Sequence, residues 1–352
     1  MYSIYTESAK LRKAEEMSEI WRVQADGSGK QRLLRGDALA GNWLAGFGYL
    51  RLSHDGQRLA FIQGIDRWRS TIWSNSLWTM NTDGSGVREW VGQLQSGAKP
   101  GSATWTDKDE IAFNTKPRPV SPAWSPDDSK VAFVDKHDQE FGQVCVLDLA
   151  NGQWRRVGAG DVVDWSPDGR FVAVRSNPPA ADMLALQVVD MNGQVQATLE
   201  LPSDIALWEL DWSASTGRIV ALAFRWHAAK WDIYVIGPYK GNKEEGVKDA
   251  FVFTPRWSPD GKMISFARGG EFIKDLYVLD PASRHERLIM QQVGYTGIWS
   301  PDSRFILTQS DVEGSGLYIV SVSDGQYWKI PNTDGDIEGA SFNSYDWLFP
   351  SP

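Results

Sequence analysis

Two histidines stand among charged neighbours in segments rich in aromatic residues. His137 lies beside Asp135 and Asp138, and His227 lies between Arg225 and Lys230. An imidazole titrates near neutrality and can serve as a general base, while Arg225 or Arg268 can steady a carboxylate. His137, His227 and Arg225 would therefore suit a lyase acting on uronic acids. A second set is aromatic: Trp43, Trp68, Trp73, Trp208, Trp226 and Tyr295, with Arg67, Arg225 and Glu209 nearby in sequence. Flat rings with polar partners suit sugar stacking or a protein hot spot. Glu209 and Glu271 are the carboxylates a glycoside hydrolase would need, but acidic loops are common and the pair carries little weight.

Other chemistries lack their signatures. There is no Gly-x-Ser-x-Gly elbow for a serine hydrolase and no Gly-x-x-x-x-Gly-Lys-Ser/Thr phosphate loop. The Gly-Ser-Gly triplets at 27–29, 84–86 and 314–316 read as turns. Cys145 is the one cysteine, so an intrachain disulfide and a cysteine-based zinc site are excluded. With 36 Lys+Arg against 45 Asp+Glu, the net charge is -9, which disfavours a nucleic-acid partner. No apolar run approaches the ~18 residues of a membrane span, so no membrane insertion is expected. At 42% hydrophobic and 23% charged, the 352 residues have a globular composition.

The elements that must position these residues come from a repeat. Trp-Ser-Pro-Asp-Gly or a near variant returns at Trp124, Trp165, Trp257 and Trp299, with weaker copies at Leu52, Trp105 and Trp212 and a last one at Phe342 that lacks the turn. The spacing is that of a four-stranded propeller blade of ~40–45 residues. Pro presets the first turn dihedral, Asp bonds back to the backbone and Gly supplies positive φ. Each copy is thus a strand, a tight turn and a second strand, followed by a third strand such as Gln143–Asp148 or Leu317–Val322. The expectation is an all-β, seven-bladed propeller of four-stranded antiparallel blades in one domain, 1–352. Ser3–Thr6 begins inside a blade, and a lone strand around Ala340–Asn343 completes that blade and closes the ring. A hairpin at Thr104–Asn114, within an extra segment at about 102–120, leaves eight blades with one stunted blade as the alternative.

In this arrangement the short turns share one rim and the long loops the other, where binding residues in scaffolded folds usually sit. The aromatic set falls on the loop rim; the competing role for each Trp is to cover the end of a neighbouring blade. The repeat tryptophans pack between blades. Asp127, Asp168, Asp260 and Asp302 cap their turns, in separate blades that cannot converge on a metal. Asp164 and Asp211 precede repeat tryptophans in first strands, as Arg256 and Arg51 do in theirs. They are expected near the channel, facing water, with a channel cation such as Ca or buried ion pairs as alternatives.

The Trp-Ser-Pro-Asp-Gly strand, followed by a Leu-Tyr-Val-type strand and Asp-Gly-Ser-Gly, resembles the propeller of TolB and its relatives (WD40-like, PD40 repeat) over nearly the whole chain. The α/β domain that precedes the TolB propeller is not expected within these 352 residues. The resemblance implies a non-catalytic scaffold that recognises a protein or peptide through the aromatic rim, without a cofactor, in the periplasm or outside the cell. Related blades also serve as peptidase gates and polysaccharide lyases, so a carbohydrate-active propeller, lectin-like or lyase, acting on a polysaccharide is the alternative. The lyases of this type use a His-rich metal site that two rim histidines do not supply. Met1-Tyr2-Ser3-Ile4-Tyr5 reads as strand and not as a signal peptide; a ring trimmed of its export signal is expected, with a cytoplasmic protein as the alternative.

Overall fold

The computed structural model describes residues 2–11, 15–35, 38–39, 46–65, 74–92, 119–135, 142–160, 163–176, 185–200, 204–237, 243–270, 274–333 and 345–348. These residues are almost entirely strand. Five four-stranded sheets and one seven-stranded sheet lie among them, all antiparallel between neighbours. Unit one joins Tyr345–Leu348 to Tyr2–Leu11, Glu15–Gln24 and Gln31–Arg35. Units two to five run in chain order: 46–91, 119–159, 163–200 and 205–250. The seven-stranded sheet is two such units that share one strand, His285–Trp299, which pairs with Lys274–Asp280 up to Val293 and with Phe305–Ser310 from there on.

The pairing strand described at the chain's end is Tyr345–Leu348, in register Tyr2↔Leu348 to Tyr5↔Tyr345; the expected strand around Ala340–Asn343 lies outside the described residues. This copy of the repeat lacks the Pro-Asp-Gly turn that pins the register elsewhere. Tyr345 and Trp347 supply aromatic strand formers instead. The hairpin expected at Thr104–Asn114 lies outside the described residues.

Why the middle strands read as unbroken apolar runs follows from the packing. Val131–Val134 are buried at every position, because both faces of each unit are covered by its neighbours. The core is accordingly divided. One cluster joins units four and five through Leu186, Val188, Leu207 and Trp212. Another joins units five and six through Val235, Val252 and Trp257. Val23 of unit one packs with Leu307, Leu317 and Ile319 of unit seven. There, Lys30 Nζ donates to the Asn332 carbonyl at 3.0 Å and Asn332 Nδ2 to the Gly27 carbonyl at 3.1 Å.

The turn chemistry is that expected. Ser166 Oγ donates to Asp168 at 2.7 Å and accepts the Phe171 N–H at 2.9 Å, while Gly169 adopts φ 67. Ser258, Asp260 and Gly261 repeat this arrangement. The hydroxyl of Ser125 is the first cause that holds the Asp127 carboxyl down at about 2.

Among the described residues the repeat tryptophans Trp124, Trp165, Trp212, Trp257 and Trp299 are buried, and three of the five reach across to the neighbouring unit with the indole N–H. Trp124 Nε1 donates to the Arg51 carbonyl at 2.8 Å, Trp165 to Ala123 at 3.0 Å and Trp299 to Arg256 at 3.1 Å. The Trp257 indole nitrogen is buried with no such partner. Trp165→Phe should therefore cost about 1–3 kcal/mol, leaving the Ala123 carbonyl unpaired. Trp257→Phe, which removes a group already unsatisfied, should cost less. Urea unfolding of the two variants checks the order; equal losses would show that the indole bond is immaterial.

Candidate functional site

Two groupings of side chains bridge units four to six. The first gathers charged side chains from the first strands of three units. Unit five carries Glu209 and Asp211 two residues apart in the strand Ile205–Trp212, and unit four carries Asp164. Unit six brings Arg256, whose Nη2 stands 3.3 Å from Glu209 Oε2. The aspartates do not simply face water. Asp164 accepts the Trp165 N–H at 2.8 Å and, across the junction, the Trp212 N–H at 2.5 Å. Asp211 accepts the Trp257 N–H of the next unit at 2.6 Å. The expectation of carboxylates facing water left out these main-chain bonds across the junctions, and the Arg256–Glu209 contact is an ion pair of the kind that stood as an alternative. A main-chain N–H is an obligatory donor, and an ionised oxygen is its strongest acceptor.

Crowding three carboxyl groups here has a cost. Burial, then the neighbouring Asp211 charge, pushes Asp164 up to about 7. Burial also raises Glu209 and Asp211, against the pull of Arg256 and Arg51. For Arg256, burial opposes the charge, but Glu209, Asp211 and Asp164 outweigh it and strengthen its hold on the proton. Among the described residues no three His, Cys, Asp or Glu side chains are grouped as metal ligands.

The second grouping is aromatic. Trp208 was expected in a loop; it stands instead inside the strand Ile205–Trp212, at the irregularity where Leu207 pairs with Ala223 and Glu209 with Leu222. A residue left unpaired at a bulge has its side chain re-aimed, and Trp208 is 49% exposed. Its ring meets Trp231 edge-on at 5.5 Å. Trp231 meets Phe224 at 4.9 Å, and Phe224 meets Trp226 at 4.9 Å. Trp226 opens the turn after Ile219–Arg225, is 59% exposed, and is tied down by its N–H to the Asp204 carbonyl at 2.8 Å. Phe253 of unit six continues the row 6.2 Å from Trp231, and Phe251 beside it is exposed. Arg175 of unit four lies over the Trp208 ring at 5.7 Å and also donates to the Leu207 carbonyl. Lys274 Nζ lies over Phe253 at 5.0 Å.

The remaining expected residues divide clearly. Arg225 Nε stands 2.6 Å from the buried Asp232, which also accepts from Tyr234 at 3.2 Å. His227 is well exposed, 3.9 Å from Asp204. Tyr295 lies in the strand His285–Trp299, its side chain outside the description. Trp43, Arg67, Trp68, Trp73 and His137 lie outside the described residues, as does Glu271. Sequence reading missed Arg175, Phe224, Phe251 and Phe253. Phe251 and Phe253 were legible as an alternating aromatic pair at the start of a repeat; Arg175 carried no signal, because its role depends on the neighbouring blade.

The raised Asp164 group sets a sign for pH. The fold favours its protonated form, so that share of stability is present at low pH and is lost as pH rises from about 4 through about 7. Asp164→Asn keeps an oxygen for the Trp212 N–H and never ionises. Thermal unfolding should show the wild-type Tm falling between pH 5 and 8, and a flatter profile with a higher Tm at pH 8 in Asp164→Asn. A steeper fall in the variant would refute the assignment.

No family model matches the chain. A stretch of 59 residues is 37% identical to the Tol-Pal system protein TolB of Alcanivorax borkumensis, covering 16% of this chain and only 14% of that protein's length. The structure of TolB from Acinetobacter baumannii superposes with a TM-score of 0.50 at 15% identity, over 93% of this chain and 78% of that one. An oligogalacturonate lyase from Vibrio parahaemolyticus superposes with a TM-score of 0.62 at 12% identity, over 91% of each chain. At these identities the superpositions speak for the fold alone. Repeat, superposition and local identity agree in supporting a β-propeller fold like that of TolB.

Proposed function

We propose that the chain is a non-catalytic binding propeller that recognises a protein or peptide through its aromatic loop rim. One observation carries the reading: Trp208 and Trp226, 49% and 59% exposed, belong to one row of touching rings that spans units five and six. Exposed indoles held by an underlying aromatic packing lose little freedom on binding and match the make-up of interface hot spots. The Tol-Pal system named for the TolB relative supports a protein partner. The scaffold proposed is a ring of seven blades closed by Tyr345–Leu348, supported by the packing of unit seven on unit one. Action in the periplasm or outside the cell is part of the same proposal and rests on the TolB resemblance.

A second reading takes the same surface as a sugar platform. It is favoured by Arg175 over Trp208 and by the full-length likeness to an oligogalacturonate lyase. A random dodecapeptide phage library selected on the wild-type protein separates the two. Selected peptides should bind Trp208→Ala/Trp226→Ala at least about tenfold more weakly, since each hot-spot truncation is worth roughly 2 kcal/mol, with Tm unchanged. Equal binding to the variant would overturn the proposal. Retardation by polygalacturonate that the variant loses, with no peptides selected, would favour the second reading.

A further inference from the structure

Among the turns that depart from the repeat, two do so at positions that touch. His54 stands where Pro126, Pro167, Pro259 and Pro301 stand in other copies, and Asp128 stands where Gly56, Gly169 and Gly261 stand. Asp128 is buried, with φ 55, a conformation that glycine adopts at no cost. Its Oδ1 lies 2.8 Å from His54 Nδ1 and accepts the His54 N–H at 2.8 Å; its Oδ2 accepts the Asp55 N–H at 2.9 Å. From the same turn of unit two, Arg58 Nη2 donates to the Asp128 carbonyl at 2.6 Å, and its guanidinium lies 4.9 Å over the Trp124 ring.

The glycine position faces the preceding unit's turn at another junction too. Ser303, with φ 59, accepts the Asp260 N–H at 3.1 Å, the counterpart of the Asp55 bond. What is particular to this junction is that a second main-chain N–H is taken up: Ala214 of unit five also has one, but the residue at the facing position there is Gly261, which has no side chain to accept it. A proline at position 54 has no N–H, so only a non-proline residue there can offer it, and only a longer acceptor than Ser can take both donors and the ring. Each departure makes sense in the presence of the other.

The junction they join is the one with the longest stretch of sequence between consecutive described strands. The chain leaves unit two at Val91 and enters unit three at Pro119, whereas Ala159 to Val163 and Ala250 to Val252 make the same step within a few residues. We infer that His54 and Asp128 form a strap across the turn rim that holds units two and three together where the connection between them is longest.

The strap makes an unusual demand on substitutions that restore the repeat. His54→Pro and Asp128→Gly should each remove local backbone cost, and substitutions towards a consensus ordinarily stabilise. Here each should lower Tm by at least about 2 °C, and the double variant should be no worse than the poorer single, because both break one contact. Hydrogen exchange should quicken in Gly46–Leu52 and Pro119–Trp124 and not in Phe305–Ser310. His54→Ala, which keeps the N–H, should fall between wild type and His54→Pro and serves if the latter folds poorly. A rise in Tm in either repeat-restoring single variant, or additive losses in the double, would overturn the inference.

Discussion

The structure depends on the burial of both faces of every four-stranded unit. A sheet covered on one side only would leave half of the apolar residues of Val131–Val134 or Leu317–Val320 in water. Such a unit cannot stand alone, and its neighbour supplies the missing cover. The repeat tryptophan is the residue that converts this general need into a defined spacing. It fills the slot between units, and in several copies its indole N–H meets the carbonyl just before the first-strand repeat position of the preceding unit. Apolar burial provides the driving force, while the directed bond sets the distance and angle between neighbours.

Where that bond is replaced, charge enters. At Trp212 and Trp257 the link is made by the carboxylates of Asp164 and Asp211 taking main-chain N–H groups. The substitution concentrates acid beside Glu209 and obliges Arg256 to stand among them. A partly buried set of like charges is costly unless paired, and the rise of Asp164 to about 7 is the expression of that cost. The same strand, Ile205–Trp212, then irregularly presents Trp208 outward. The buried charge at Glu209 and Asp211 and the exposed Trp208 are therefore two consequences of one strand's path.

The functional reading rests on this rigidity. Trp208 is held between Arg175 of one unit and Trp231 of the next, and Trp226 is fixed by Phe224 and by the Asp204 carbonyl. Rings held by packing against neighbouring side chains offer a preorganised surface, and binding to such a surface loses less conformational entropy than binding to a free loop.

By itself the sequence determined the repeat, the four-stranded unit, the turns and the burial of the repeat tryptophans. These depend on contacts within a few residues: Ser, Asp and Gly of one turn bond to one another, and their order in the chain is their order in space. It also placed Trp226, His227 and the third strands where the structure has them. Only the tertiary structure decided that Trp208 projects from a strand, that Asp164 and Asp211 bind main-chain donors of the next unit, that Arg225 is held by Asp232, and that the end strand is Tyr345–Leu348. Each of these requires a partner about one repeat or more away, or a strand register that no turn residue dictates. Hydrophobic pattern and turn type are blind to which neighbour faces a side chain across a junction, and the pairing of His54 with Asp128, 74 residues apart, exists only once two blades meet.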